Sequence, residues 1–292
     1  MESRENMLAF AKEVTGKSNI SDYHFIEAGW NSVILVINGN IALKFPRSES
    51  SSQKVEYEQK ILSIMEGFPF ETPKYRVVAF KKYKVGIYTF IEGRPLSSVR
   101  RIGKDLLSDF SRFFEYTFNF DLTGMTDAGI TVVEPEEWIH RELSMLEEFQ
   151  HYLGNYIYKE FFQKISMSIK EMSMNLSTED IGLIHGDFYR ENIVVSQDCS
   201  RINGIIDWGE SGSGDLAFDL AALSVDFPED QTLSMIPHKF QDRSQTYLER
   251  IRIYKKIEPL YNLLFLKKYN KDQDFKKMSD EFNNRLQDDK SP

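Results

Sequence analysis

Along the first ninety residues, short apolar runs alternate with tight polar breaks, which is the pattern of strands. After a short helical stretch over 5–16 come three strand-like runs, Tyr23–Glu27, Ser32–Ile37 and Ile41–Phe45. Asn38-Gly39-Asn40 separates the last two and signals a tight turn between apolar runs. Residues 53–66 read as a helix, and Arg76–Phe80 and Val85–Ile91 as two more strands. This part predicts a small antiparallel sheet carrying one helix. Beyond the break at Glu92-Gly93-Arg94-Pro95 the apolar spacing lengthens to the helical period. Residues 97–118 place Leu106, Phe110, Phe113 and Phe114 on one stripe. Residues 135–176 read as two helices interrupted near Gly154, and 214–226 and 243–269 add further helical segments. The last dozen residues are polar and are expected to fray. The fold class expected is α+β, with a small β-rich lobe over 1–92 and a larger, mainly helical lobe over 93–292.

Inside the helical part lies a short β-rich insert, IHGDFYRENIVVS followed by INGIIDWGESGSGDLAFDLAAL. Ile193–Ser196 and Asn203–Asp207 read as two apolar strands, and the polar link Ser196–Arg201 predicts an antiparallel hairpin. In such a hairpin the start of the first strand lies beside the end of the second. Asn192 and Asp207 therefore meet, and Asp187 stands on the loop entering the hairpin. A carboxylate with an amide oxygen suits a hard cation, and Mg²⁺ takes few protein ligands together with substrate phosphates.

Lys44 ends the apolar strand Ile41-Ala42-Leu43-Lys44-Phe45, where an inward ammonium is costly to bury without an anion. On the helix that follows, Val55, Glu58, Leu62 and Met65 recur at spacings of three, four and three. Glu58 thus shares the apolar stripe and needs a cationic partner, whereas Glu56 faces elsewhere.

The chain has 292 residues, enough for two packed lobes. A net charge of −9 argues against a general nucleic-acid binder and is compatible with a cationic small substrate. Cys199 is the single cysteine, so no intramolecular disulfide forms, which fits a reducing cytoplasm. The opening MESRENMLAF is too polar for a signal peptide, and no run approaches 18 apolar residues. The expectation is a cytoplasmic protein, monomeric by default, with neither a membrane nor a nucleic-acid partner.

His185-Gly186-Asp187, with Asn192 five residues after the Asp, resembles the catalytic loop of protein kinases and of the aminoglycoside phosphotransferase family. Asp207-Trp208-Gly209 resembles the kinase Asp-Phe-Gly. Glycine in the second position of His-Gly-Asp points to the small-molecule branch, as do Asp215 and Asp219, eight and twelve residues after Asp207. The layout is most similar to the group acting on the 2″ hydroxyl of aminoglycosides, and the resemblance spans roughly 20–230. It implies a protein-kinase-like two-lobe fold and transfer of the γ-phosphoryl of ATP or GTP, with Mg²⁺, to a hydroxyl of a small molecule. Asp187 would accept or orient the hydroxyl proton, His185 would brace the loop, and Asn192 and Asp207 would hold Mg²⁺. Lys44 with Glu58 would form the phosphate-positioning pair, and Asp215 and Asp219 would give structural support.

The first interstrand loop, Glu27-Ala28-Gly29-Trp30-Asn31-Ser32, departs from a G-x-G-x-x-G pattern. Its small and polar residues still let backbone N–H groups approach phosphate, and Ser32 joins the nucleotide-binding set. Trp30 either covers the nucleotide or packs. In the segment Tyr88–Gly93, Thr89 to Ile91 would bond the base edge through the backbone and Tyr88 would stand behind it, where a phenol favours GTP at least as much as ATP. Asp226, Glu229 and Asp230 would suit an amine-rich acceptor. The same fold serves kinases of choline, homoserine, sugars and macrolides, so fold does not choose the acceptor. The span from Asp207 to Asp215 is short for a protein-kinase activation loop. A catalytically inactive nucleotide-binding module is the reading from another class; such proteins lose one of the groups that Lys44, Asp187, Asn192 and Asp207 supply here.

Overall fold

Ser3 opens the first helix by accepting the Asn6 amide, and Gly16 closes it in the left-handed conformation. The computed structural model describes residues 2–17, 20–27, 31–100, 102–269 and 271–288. The loop residues Ala28, Gly29 and Trp30, and the tail beyond 288, lie outside the described residues. In chain order the elements are α1 (Arg4–Thr15), β1 (Tyr23–Ile26), β2 (Ser32–Ile37), β3 (Ile41–Pro46), α2 (Glu49–Ser63), β4 (Arg76–Phe80), β5 (Tyr83–Thr89) and β6 (Arg94–Pro95). Then come α3 (Lys104–Phe118), α4 (Thr123–Asp127), α5 (Pro135–Leu153), α6 (Lys159–Met172), β7 (Ile181–Ile184), β8 (Ile193–Val195), β9 (Ile202–Ile205) and β10 (Gly212–Asp215). The chain finishes with α7 (Ala217–Leu223), α8 (Glu229–Ser234), α9 (Ser244–Lys268) and α10 (Asp272–Asp288). The architecture is α+β, an antiparallel sheet in the N-terminal part and helices in the C-terminal part. Among the described residues, no helix is long and apolar enough to cross a membrane.

The chain forms two compact units. The first draws on the chain up to Tyr116, on Asp121–Thr131 and on His185–Gly212. Its antiparallel sheet runs β1-β2-β3-β5-β4. Strand alternation splits the side chains: Leu35, Leu43, Phe45, Val85 and Ile87 pack with Met7, Phe10 and Ala11 of α1. Each of these larger apolar side chains, Ala11 excepted, is worth about 1.5–3 kcal/mol when buried. Ala42 and Lys44 alternate with Leu43 and Phe45 and so point to the opposite face of the sheet. On α2, Val55, Glu58 and Ile61 are buried.

Several boundaries differ from the sequence expectation, and the helix expected over 214–226 gives way to β10 (Gly212–Asp215) and the shorter α7 (Ala217–Leu223). α2 begins at Glu49, because Ser48 caps it by accepting the Ser51 amide; the serine run is a cap and first turn. β5 begins at Tyr83 and ends at Thr89, because Lys81 takes a positive φ of 55° and completes the hairpin turn early. α3 starts at Lys104, not 97, because Leu96–Ser98 form a 3₁₀ turn tied down by Arg94, which donates to the Ser98 hydroxyl and carbonyl. The hairpin forms as expected, with Ile193 opposite Ile205 and Cys199 in its loop. The two helices meeting near Gly154 also form.

The second unit draws on Thr117–Phe120, Val132–Ile184 and the chain from Ser213 onward. Within its largely apolar core lies a buried polar network. Asp215 is fully buried and accepts from the Ala217 amide (2.9 Å), from Arg250 Nε (2.9 Å) and from the Tyr254 hydroxyl (2.8 Å). Trp138 Nε1 in turn donates to Tyr254 (2.8 Å). Asp180 accepts from Ser177 and Arg243, and pairs with Arg250 across 3.3 Å.

Glu142, one helical turn after Trp138, is 3% exposed. Burial pushes its carboxyl up to about 7, against the pull of Arg141 and with the help of Asp215. The folded protein holds this proton more tightly than the unfolded chain, whose carboxyl titrates near 4.5. Its contribution to stability is therefore greatest below pH 4.5 and falls as pH rises through 7, by about 3 kcal/mol at completion. Glu142→Gln should flatten that slope: its melting temperature should be close to wild type at pH 5 and above it by pH 8. An equal offset at both pH values would contradict the assignment.

Candidate active site

The site is built within the first unit from β3, α2 and the hairpin β8–β9 with its entering loop. Lys44 is nearly buried, and its Nζ lies 2.6 Å from Glu58 Oε2 and 2.9 Å from Asp207 Oδ1. Burial opposes the ammonium, but the two carboxylates outweigh it and hold Lys44 charged above its ordinary range. Glu58 is completely buried, and its other oxygen accepts the Trp208 amide at 3.0 Å. The helix carrying Glu58 is thereby joined to the residue after Asp207. Glu56, the alternative partner, faces Lys84 at the surface.

Asp207 sits in the left-handed region at φ 65°. Burial opposes its charge as well, and Lys44 holds its carboxyl below the usual range. Across the hairpin the Ile206 amide donates to the Asn192 carbonyl at 3.0 Å, so Asn192 and Asp207 are neighbours as the strand register requires. Asn192 Nδ2 donates to Asp187 Oδ2 (2.8 Å) and to the Asp187 carbonyl (2.9 Å). This leaves the amide oxygen of Asn192 as its acceptor atom. Burial, with the Asp207 charge behind it, pushes the Asp187 carboxyl up to about 6.

His185 is fully buried, and desolvation pushes its imidazole down to about 4. The neutral ring donates from Nε2 to the Ile206 carbonyl (3.0 Å) and accepts the Asp187 amide at Nδ1 (3.2 Å). It therefore ties the backbone at Asp187 to the residue before Asp207, packed against the Trp208 ring at 4.5 Å.

Ser32 opens β2, and its buried hydroxyl has no hydrogen-bond partner among the described residues. Tyr88 pairs with Ala42 across β3 and β5, which puts it on the sheet face that carries Lys44. Its ring meets Tyr75 edge-on at 4.9 Å. Tyr75, absent from the sequence reading, lies 6.0 Å from Lys44 Nζ. It reaches that place because Gly86 has no side chain; a Cβ there would come within 2.6 Å of the Tyr75 ring. Thr89 ends β5 exposed, and Ile91 is buried against Gly204.

In the second unit, Asp215 lies in the buried network described above, and Asp219 stands 2% exposed in the first turn of α7. Asp226 is half-buried after α7, and Glu229 and Asp230 open α8. Arg252 already meets Glu229 with two bonds of 2.8 and 2.7 Å. The local sequence around the acidic run held no sign of that guanidinium, which lies 23 residues further on.

Solved structures share this fold. The GDP complex of wild-type aminoglycoside 2′-phosphotransferase-IIIa aligns with a TM-score of 0.79 at 16% identity, covering 97% of this chain and 98% of that one. The GDP and kanamycin complex of APH(2″)-IIIa gives 0.81 at 15% identity, over 99% and 100% of the two chains. A macrolide 2′-phosphotransferase type I gives 0.69 at 17% identity, over 97% and 98%. At these identities the likeness concerns the fold. No curated protein sequence matches the chain. Residues 22–254 match the phosphotransferase enzyme family, which covers most of the chain. The chain belongs to that family of phosphotransferases.

Proposed function

We propose that this protein transfers the γ-phosphoryl group of GTP or ATP to a hydroxyl of a small cationic acceptor of the aminoglycoside type. The observation that carries the reading is the junction of Lys44, Glu58 and Asp207 beside the Asp187–Asn192 pair. Phosphoryl transfer asks mainly for positioning and charge neutralisation. Lys44, held by Glu58, supplies a fixed cation for the phosphates. Asp187, with its carboxyl pushed up to about 6, takes or orients the acceptor proton near neutral pH. His185 and Asn192 fix where Asp187 stands. The carboxylate of Asp207 and the amide oxygen of Asn192 form a hard-oxygen donor set that fits Mg²⁺, which when bound neutralises phosphate charge. Ser32, whose buried hydroxyl lacks a partner among the described residues, would donate to a phosphate oxygen.

Asp226, Glu229 and Asp230 are the candidate acceptor-binding carboxylates. Arg252 offsets the charge of Glu229, which lessens the share of that role that Glu229 can carry. Two kinds of solved relative, aminoglycoside and macrolide phosphotransferases, share the fold, and the acidic run favours the more highly charged acceptors. The test is nucleotide consumption with aminoglycosides, macrolides, choline and sugars as acceptors. Turnover with an aminoglycoside, and an acceptor KM that rises with ionic strength, is the expected result. Turnover confined to neutral or anionic acceptors would overturn the acceptor assignment.

Asp207→Ala should abolish the Mg²⁺ dependence of nucleotide binding, and Asn192→Ala should weaken it, as read by Mg²⁺ titration against bound nucleotide. Unchanged metal dependence in both variants would reject the site.

GTP should serve at least as well as ATP. Tyr88 and Tyr75 fill the face of β5 beside Lys44, and burial keeps the Tyr88 phenol protonated by raising it above its usual range. A bulky donor there blocks a base pushed deep toward the sheet, whereas a guanine lying further out can use the donors and acceptors of the segment after Thr89. Tyr88→Ala should move the ratio of kcat/KM values toward ATP by about tenfold, the scale of a blocked polar contact. A wild type that strongly prefers ATP, with the same ratio in the variant, leaves Tyr88 without this role.

A further inference from the structure

Lys54, Tyr57 and Glu58 stand at i, i+3 and i+4 on α2 and share one face. All three grip the segment after Asp207. Glu58 accepts the Trp208 amide at 3.0 Å, Tyr57 donates to the Ser211 carbonyl at 2.8 Å, and the Lys54 ammonium bonds the Glu210 carboxylate. The stem of Lys54 runs beside Gly209, where an added Cβ would stand 3.5 Å from Lys54 Cβ. Glu210 has a second contact. Its backbone carbonyl presses on Gly186, where a Cβ would come to 2.3 Å, and Gly186 itself is held at φ 76°. Only glycine combines that φ with so close an approach. Asp187 is the next residue. Glu210 therefore has its side chain on α2 and its backbone on the loop that presents the catalytic carboxylate.

We propose that Lys54 and Glu210 are positioning residues for phosphoryl transfer: their ion pair keeps the backbone of residue 210 against Gly186 and so sets where the loop presents Asp187. The proposal rests on the phosphotransferase reading of Asp187. The pair is 39% and 48% exposed at its two side chains. Such pairs add little to global stability, so its effect falls on local geometry, to which in-line transfer is sensitive.

The test compares GTP and ATP turnover with Mg²⁺, using kanamycin as acceptor or, where no aminoglycoside accepts, water. The proteins are wild type, Lys54→Met, Glu210→Gln, the exchanged pair Lys54→Glu with Glu210→Lys, and Asp187→Asn. Each single variant should lose about three- to tenfold in kcat, with nucleotide KM and melting temperature close to wild type. The exchanged pair should recover at least half of the wild-type kcat, which a merely structural role for either side chain would not produce. Wild-type kcat in either single variant overturns the proposal. So does a loss that the exchange fails to restore. A loss in Lys54→Met alone overturns it too, and would make Lys54 a cation acting on phosphate. Normal turnover in Asp187→Asn would instead sink the underlying reading of the loop, whereas an inactive Asp187→Asn beside unimpaired single variants defeats the positioning role only.

Discussion

Asp187→Asn is expected to reduce turnover by about 10²–10⁴-fold while nucleotide affinity stays within a few-fold. The amide keeps the size and planarity of the side chain, so the Asn192 contacts at 2.8 and 2.9 Å lose little geometry. It cannot take a proton, so what is lost is the group with proton affinity near neutrality. The folded protein should not suffer. Burial and the Asp207 charge make the ionised Asp187 unfavourable in the native state, holding its carboxyl near 6 against an ordinary 3.8. A neutral residue there relieves that cost above pH 6, so the variant should melt no lower than wild type at pH 7.5. The combination of intact folding, intact nucleotide binding and lost kcat identifies a group used in the chemical step. A variant that turns over at a rate near wild type would remove Asp187 from that role.

The parts of this site that share a local period were legible in the sequence. The hairpin from Ile193 to Ile205 follows from two apolar runs and a polar link, and its register brings Asn192 beside Asp207. Lys44 and Glu58 followed from the cost of an unpaired charge on an apolar face, and the structure puts them 2.6 Å apart. Lys54 and Tyr57 stand four and one residues before Glu58 on that helix, but Lys54 is partly exposed and Tyr57 uncharged, so the same reasoning does not reach them. Their partners, Glu210 and the Ser211 carbonyl, lie more than 150 residues away, at 156 and 154 positions. Tyr75 depends on the missing side chain of Gly86 on a neighbouring strand. No local pattern encodes either contact. The start of α2 was missed for a different reason: a serine run looks like a loop until one of its hydroxyls is seen to cap the helix.

The largest stability effect should come from Arg250→Met, a residue that periodicity alone presents as one more charged position on α9. The guanidinium is 1% exposed, stacked with its carbon 4.6 Å from the centre of the Tyr247 ring. It faces two carboxylates that are themselves fully buried, Asp215 at 2.9 Å and Asp180 at 3.3 Å. Methionine matches much of its volume and keeps contact with the Tyr247 ring, so packing is the smaller part of the loss. The larger part is electrostatic. Asp215 would keep only the Ala217 amide and the Tyr254 hydroxyl, and Asp180 would keep Arg243 and Ser177. Leaving a buried carboxylate without its cation costs about 3–5 kcal/mol. In a protein of this size that lowers the melting temperature by on the order of 10 °C. Asp215→Asn in the Arg250→Met background should recover part of the loss, because it removes the stranded charge and keeps an acceptor for Tyr254. Denaturant unfolding of the single and double variants reads both quantities. An Arg250→Met protein within about 1 kcal/mol of wild type would show that Asp180 and Asp215 are held by their remaining donors, at the scale of ordinary hydrogen bonds and not of a buried ion pair.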